Sequence, residues 1–340
     1  MTASLALPIA DTSQVGEARR LATTLARRVE FDDTDAGRVS LAVTEAATNL
    51  VKHARGGEIL MRALSVQEGG GIEILALDAG AGIRDVAACL RDGYSTAGSP
   101  GTGLGALMRL ASVFDLYSLP GRGTAVLARI VRTPGPRPAA GSPIEFGVVC
   151  VPKPGEERSG DAWAVEPHAG GAAILMSDGL GHGPDAASAS AVAIARFRSL
   201  GSSAPAAALS VIHEAMRPTR GAAVTVTEID VSQQLVRHAG IGNIAGSVIT
   251  PSAVRRMVSH NGIAGHEARR IGEFTYPWSD DAVLVLHSDG LNTHWDLDRY
   301  PGLTARRPSL VAGVLYRDFR RRRDDVAVLV VRGRRAGGAR

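Results

Sequence analysis

The stretch Thr133-Pro-Gly-Pro-Arg-Pro-Ala-Ala-Gly-Ser-Pro143 carries four prolines and two glycines, a composition that sustains neither a helix nor a central strand. The 340-residue chain therefore falls into two lengths. Each is long enough for a core of its own, since domains run to roughly 100–200 residues. The expected organisation is a first domain over 1–132, a linker over 133–143, a second domain over 144–334 and a basic tail over 335–340.

Apolar periodicity gives each length a character. Before the linker, strands are expected over 3–9, 59–64 and 72–77, helices over 15–29, 37–53 and 104–113, and a hairpin over 115–130, so that helices cover a sheet. After it, strands are expected over 146–151, 172–176, 223–229, 282–287 and 326–331, with helices over 185–200, 204–216 and 309–319. Two sheets flanked by helices accommodate that order. The fold class is α+β in two domains, and no internal repeat is evident.

Composition removes several functions. Apolar residues make up 45% and charged residues 21%, as in ordinary globular proteins, and no apolar run approaches the ~18 residues that cross a bilayer. The opening Met-Thr-Ala-Ser-Leu-Ala-Leu-Pro lacks the basic and long apolar regions of a signal peptide. Cys89 and Cys150 lie far apart without metal-ligand neighbours, which suits a reduced cytoplasm. The net charge of +4 arises beyond Arg132, because residues 1–132 hold 14 basic and 14 acidic side chains. Much of the excess sits in Arg320-Arg-Arg-Arg323 and in 332–340. Without interleaved aromatics, and beside an acidic motif, that run reads as a solvated face and a tail rather than a nucleic-acid surface. Neither a membrane nor a nucleic acid is expected as a partner.

Glu45, Asn49 and Lys52 stand four and three residues apart on an expected helix, so they share one face. Taken alone, such a stripe is equally a solvated helix face. With a ligand, the Asn oxygen can hold a phosphate-bridging Mg²⁺, the carboxylate can orient or deprotonate an attacking hydroxyl, and the ammonium can meet phosphate charge. Lys52 is one of only two lysines among 38 basic residues, a rarity that points to a need for a compact ammonium. Asp78 ends an apolar strand and precedes Gly80 and Gly82, which let the backbone approach a planar base while the carboxylate accepts from an amine. Gly101, Gly103 and Gly105 then open a helix, placing amides where phosphates could lie. Gly121-Arg-Gly-Thr124 follows. One glycine cluster is a weak signal, since turns use the same residues, but their order along the chain is a strong one.

Carried by these motifs, the segment 40–130 resembles the GHKL ATPases. Through Val-Lys-His-Ala-Arg-Gly-Gly-Glu (51–58) and Asp92-Gly-Tyr-Ser-Thr96 it is most similar to the RsbT group of small serine kinases of the bacterial stressosome. The resemblance implies a GHKL α/β sandwich binding ATP and Mg²⁺. It assigns Mg²⁺ to Asn49, the catalytic base to Glu45, adenine reading to Asp78 with support from Thr124, and the ATP lid to 92–105. No dimerisation helix of the histidine-kinase kind precedes the segment, so a serine or threonine on another protein is the expected acceptor rather than His53.

Four aspartates, Asp161, Asp178, Asp289 and Asp324, lie just before or after strand-like runs. Hard oxygen ligands without Cys or His favour Mg²⁺ or Mn²⁺ over zinc, and two such ions could polarise a phosphomonoester and generate a hydroxide. A single Ser-Asp-Gly is usually a turn; two at strand ends, with Asp161 and Asp324 flanking, point to a metal site. Through Ser177-Asp-Gly-Leu-Gly-His-Gly183, Gly240-Ile-Gly-Asn243, Ser288-Asp-Gly-Leu291 and Asp324-Asp325, residues 145–332 resemble the SpoIIE and RsbX metal-dependent serine/threonine phosphatases. That likeness implies an α-β-β-α sandwich and two Mn²⁺ or Mg²⁺ ions. Asp178 would bridge the ions, the Gly179 carbonyl would bind one, Asp289 and Asp324 would complete the other, and Asp161 would support the second; Asp178 and Asp289 are the expected catalytic pair. Asp325-Val-Ala327 departs from relatives with Thr at the third place. His182 is either a proton donor to the leaving oxygen or structural.

The expected function is a bifunctional stressosome switch that phosphorylates and dephosphorylates Ser/Thr of STAS-domain partners in the cytoplasm. The alternative is an ATP-binding sequestration module without kinase turnover, joined to an active phosphatase.

Overall fold

The computed structural model describes residues 3–54, 56–90, 103–132, 142–201 and 203–334. Gly101, the Asp92–Thr96 motif, most of the Pro-rich stretch and the final basic residues lie outside these. In chain order the first elements are β1 (Leu5–Ile9), α1 (Thr12–Arg28), α2 (Asp33–His53), β2 (Gly57–Leu64), β3 (Gly71–Leu77), α3 (Val86–Cys89), α4 (Gly103–Leu110), β4 (Val113–Ser118) and β5 (Thr124–Ile130). Then follow β6 (Ile144–Val151), β7 (Asp161–His168), β8 (Gly171–Gly179), α5 (Pro184–Leu200), α6 (Pro205–Ala215), β9 (Ala222–Asp230), β10 (Leu235–Ile241) and β11 (Ala245–Thr250). The last are β12 (Ala253–Arg256), β13 (Phe274–Pro277), β14 (Val283–His287), α7 (Pro308–Phe319) and β15 (Val326–Gly333).

Contacts divide the chain into two compact units, one of Thr2–Ala140 with Asp296–Arg317, the other of Gly141–Trp295 with Asp318–Arg340. In the first, five antiparallel strands run in the order β1-β2-β3-β5-β4. Asp11 caps α1, accepting from the Ser13 amide at 2.8 Å, and Gln14 returns a bond to the Asp11 amide at 3.2 Å, a reciprocal cap. Asp32 caps α2 through the Asp35 amide at 2.7 Å. Val39, Val43, Ala46, Ala47 and Leu50 of α2 are buried at helical spacing against Ile59, Met61, Ile74 and Val126 of the sheet. Each large apolar side chain so buried stabilises by about 1.5–3 kcal/mol. A rotation of α2 would forfeit several of these, so the stripe of Glu45, Asn49 and Lys52 is held off the core.

Every residue of β3 is buried. Its second face carries Glu73, which accepts from Arg62 Nε at 2.8 Å, Arg129 Nε at 2.7 Å and Ser309 Oγ of α7 at 2.7 Å. The two guanidinium charges hold the Glu73 carboxyl down at about 2 despite its burial. A methyl at Gly313 of α7 would lie 3.1 Å from Leu77 Cδ2, so glycine permits the close approach.

The second unit stacks two five-stranded sheets, β13-β10-β9-β8-β7 and β12-β11-β14-β15-β6. Phe146, Val148, Ile174, Met176, Leu284, Leu286 and Leu329 lie between them. Helices α5 and α6 cover the first sheet through Ala189, Ala193, Phe197, Leu209 and Ile212, against Leu175, Val224 and Ala239.

The helix expected over 104–113 stops at Leu110: the Ser112 amide donates to Arg129 O at 2.8 Å and Val113 pairs with Arg129 in the sheet, and pairing overrides helical propensity there. Strands β10 to β13 had no expected counterpart, and β7 was expected only as a strand-like run beside Asp161.

Candidate functional sites

Glu45, Asn49 and Lys52 occupy one side of the last turns of α2, Glu45 and Asn49 half-buried and Lys52 exposed. The Asn49 amide nitrogen is buried and has no hydrogen-bond partner among the described residues. The first residue of α4 lies directly over it. A methyl at Gly103 would stand 2.8 Å from Asn49 Oδ1, so any larger residue would displace the amide. Gly105 is buried one turn into α4.

Asp78 follows β3 and is clasped by the β4–β5 turn. Its amide donates to Thr124 O at 2.9 Å and its carbonyl accepts from Thr124 N at 3.2 Å and from Arg317 Nη1 at 2.7 Å. The Gly80 amide donates to Asp78 Oδ1 at 2.8 Å. Burial pushes the Asp78 carboxyl up, opposed by the Gly80 and Thr124 amides and by the Arg317 charge. Gly82 has φ +70°, and a methyl there would meet Leu119 O at 2.3 Å; at Gly123, φ +80°, one would meet Asp78 O at 1.9 Å. These two positions accept only glycine. Thr124 supports Asp78 through its backbone, while its hydroxyl bonds Ser118 Oγ at 3.0 Å. His53 is exposed at the end of α2. An unpartnered Asn49 amide beneath a glycine-lined approach, with Glu45 and Lys52 on the same helix side and the Asp78 carboxylate after β3, suits a nucleotide and its cation.

In the second unit Asp161 opens β7 directly opposite Asp178 near the end of β8. Ser288, which follows β14 in the other sheet, donates to Asp161 Oδ2 at 2.6 Å and accepts from the Ala327 amide at 3.0 Å, tying the two sheets together at the acidic end. Burial is the main force pushing the Asp161 carboxyl well up, with Asp178 next and the Ser288 bond opposing. Asp178 is pushed to about 7 by burial, then by Asp289 and Asp324, against a bond from the Asp289 amide. Asp289 is also raised, by burial and Asp324, while Asn243 Nδ2 donates to its Oδ2 at 2.8 Å. The Gly179 amide donates to Gly160 O at 3.1 Å; a methyl on Gly179 would lie 2.3 Å from Ala186 O.

Asp178, Asp289 and Asp324 line one cleft of about 500 Å³ with Lys153, His182 and Asn243, and Asp161 lies behind it. Among the described residues no three His, Cys, Asp or Glu side chains form a ready-made metal cage. The carboxyls of Asp161, Asp178 and Asp289 nonetheless hold their protons more tightly than a free aspartate, through burial and neighbouring carboxylates, and hard oxygen donors of this kind fit divalent Mg²⁺ or Mn²⁺.

Two participants, Glu156 and Lys153, had no expected role, and Asp325 was expected only as part of the Asp324-Asp325 motif. Asp325 accepts from Lys153 N at 2.7 Å and Gly160 N at 2.8 Å, bracing the loop beside Asp324. Glu156 Oε1 pairs with His182 Nδ1 at 2.7 Å. Lys153 lines the cleft together with Asp178, Asp289 and Asp324. A second count of lysines would have found Lys153; nothing local marks Glu156.

Together the two units define an ATPase domain of the histidine-kinase kind followed by a metal-dependent phosphatase fold. The histidine kinase-like ATPase domain family matches residues 9–130, and the stage II sporulation protein E (SpoIIE) family matches residues 168–334. The serine/threonine-protein kinase RsbT of Bacillus subtilis (strain 168) is 35% identical over 111 residues, which cover 33% of this chain and 84% of the relative. The chain belongs to the RsbT family of kinases and carries a SpoIIE-type phosphatase domain on the same polypeptide. A chain of the structure described as "The bacterial stressosome: a modular system that has been adapted to control secondary messenger signaling" is 27% identical, with a TM-score of 0.53, covering 56% of this chain and 99% of that one. RsbX in complex with magnesium shares the fold at 19% identity and a TM-score of 0.50, over 56% of this chain and 96% of that one.

Proposed function

We propose that the protein is a switch that adds phosphate to, and removes it from, serine or threonine of STAS-domain partners in a stressosome-like assembly in the cytoplasm. The observation carrying this reading is the presence of both sites on one chain: the Asn49–Gly103–Asp78 arrangement and the acidic cleft of Asp178, Asp289 and Asp324. The likeness to RsbT and to a stressosome chain supports the choice of partner.

In the kinase half, Asp78 would accept from the adenine amine, Lys52 and the α4 amides would meet phosphate, and Asn49 would hold Mg²⁺. Glu45 takes the proton of the acceptor hydroxyl as its oxygen bonds the γ-phosphorus and ADP leaves. In the phosphatase half, Asp178, the Gly179 carbonyl, Asp289 and Asp324 would hold two Mn²⁺ or Mg²⁺ ions, with Asp161 in support. Bound there, the ions would supply a hydroxide at neutral pH and charge on the phosphoryl oxygens; the water oxygen would bond phosphorus as the serine oxygen leaves, and the proton given up by the water would end on the serine. The functional domains in this reading are 1–132 and 144–334, joined by 133–143 and followed by the tail 335–340. No helix among the described residues is long and apolar enough to cross a membrane.

The test follows phosphopartner by mass spectrometry and ATP loss in the same tube, with a STAS protein from the same genome. Asp178→Asn should accumulate phosphopartner, Asn49→Ala should leave it unphosphorylated, and the wild type should settle between while consuming ATP. An Asp178→Asn protein that binds ATP but phosphorylates no STAS partner would replace the kinase reading with sequestration.

A further inference from the structure

Of 38 basic residues only Lys52 and Lys153 are lysines, and they fall at the two candidate phosphate-handling sites. Lys52 lies on α2 beside Asn49; Lys153 lines the cleft of Asp178, Asp289 and Asp324. A chain that otherwise uses arginine places its compact ammonium groups, each with three freely oriented donors, at these two points.

The backbone of Lys153 is fixed. Pro154 restricts it to extended geometry. Its amide donates to Asp325 Oδ1 at 2.7 Å, and its carbonyl accepts from the Glu156 amide at 3.0 Å, closing a tight turn. Asp325 is anchored in turn by the Gly160 amide at 2.8 Å. The loop that carries the ammonium is thus tied to the loop that carries Asp324. The side chain is half-buried, and among the described residues its ammonium forms no ion pair, although three carboxylates share its cleft. A phosphomonoester carrying about −1.5 to −2 charges has to enter that cleft. Cations held by the carboxylates would offset the carboxylates' own charge first, so a further positive group in the same cleft favours the dianion.

We propose that Lys153 is the phosphate-binding cation of the cleft, its ammonium holding non-bridging oxygens of the phosphoserine or phosphothreonine substrate and of the orthophosphate product. The proposal rests on the phosphatase reading of this unit. Lys153 acts as a binding residue and not as a metal ligand, because a cationic ammonium has no lone pair to donate.

The experiment uses full-length protein with Mn²⁺ and compares wild type, Lys153→Gln, Lys153→Arg and Arg323→Gln, Arg323 being the other cation of the cleft. Three quantities are measured: KM for a phosphoserine peptide, the inhibition constant of inorganic phosphate, and the Mn²⁺ concentration for half-activation. Lys153→Gln should raise the first two together by roughly ten- to a hundredfold and leave the third unchanged, and Lys153→Arg should recover part of the loss. The proposal is overturned if Lys153→Gln leaves KM and phosphate inhibition as in wild type, or if only Arg323→Gln raises them. It is also overturned if the Mn²⁺ requirement rises in step with KM, since the effect would then run through the Asp325 brace. A wild type that hydrolyses no phosphopeptide would defeat the phosphatase reading itself. Calorimetric binding of inorganic phosphate to the Mn²⁺-loaded protein, with and without Lys153→Gln, would still decide the role of Lys153.

Discussion

Asp161 and Asp178 stand directly opposite one another in the antiparallel β7–β8 ladder, a like-charged cross-strand pair of the sort that ordinarily destabilises a sheet. The Asp178 carboxyl is raised from 3.8 to about 7, so folding favours its protonated form. Its contribution to stability is fully present below about 3.8 and is lost as pH rises through about 7. Asp178→Asn, which carries no charge, should therefore gain on the wild type in EDTA as pH rises from about 5 to about 8. Urea denaturation of both proteins at each pH checks this; an equal difference at both would contradict it. Added Mn²⁺ should reverse the order at the higher pH, because binding needs the deprotonated carboxylates.

The same substitution removes the carboxylate central to the acidic cleft. Mn²⁺-dependent hydrolysis of a phosphoserine peptide by Asp178→Asn should fall to background while its ATP affinity stays that of the wild type. Residual metal-dependent turnover would show that Asp178 does not bridge the ions.

Asp78→Asn should weaken ATP by about 1.5–3 kcal/mol, roughly ten- to a hundredfold, as expected for loss of a charge-assisted bond. Calorimetry separates this from Asn49→Ala, which should chiefly abolish the Mg²⁺ dependence of binding. Unchanged affinity in a folded Asp78→Asn protein would remove Asp78 from the adenine contact.

Gly103→Ala places a methyl 2.8 Å from Asn49 Oδ1. Gly103 is the first residue of α4, outside the helix interior where alanine gains about 1 kcal/mol over glycine, so thermal stability should hold while Mg²⁺-dependent ATP binding falls. A drop in stability together with intact binding would indicate that Asn49 moves aside freely.

Glu73 is buried between Arg62 and Arg129. Glu73→Ala would leave two guanidinium groups facing each other without their shared anion, and should cost about 3–5 kcal/mol. Ser309→Ala should cost less, about 1.5–3 kcal/mol, the range for a buried hydrogen bond to a charged group. Denaturant titration of both variants distinguishes a buried ion network from a surface one, for which the two losses would be alike and small.

Short-range patterns made α1, α2, α5, β2, β3, β8 and β15 legible, because caps, apolar spacing and glycine turns act over a few residues. The same patterns marked Asp78-Ala-Gly80-Ala-Gly82 and the two Ser-Asp-Gly motifs at strand ends, whose chemistry is carried by neighbours in sequence. Tertiary structure alone decided which groups meet. Register across β7–β8 set Asp161 against Asp178. The Asp325 brace reaches Lys153 across 172 positions, and Arg317 reaches Asp78 across 239. Strands β10 to β13 are short or interrupted by glycine, and exist because a neighbouring strand completes their hydrogen bonds. Contacts of such separation leave no local signature: each partner is an ordinary residue in its own segment and becomes functional only when the packing of the sheets sets the distance between them.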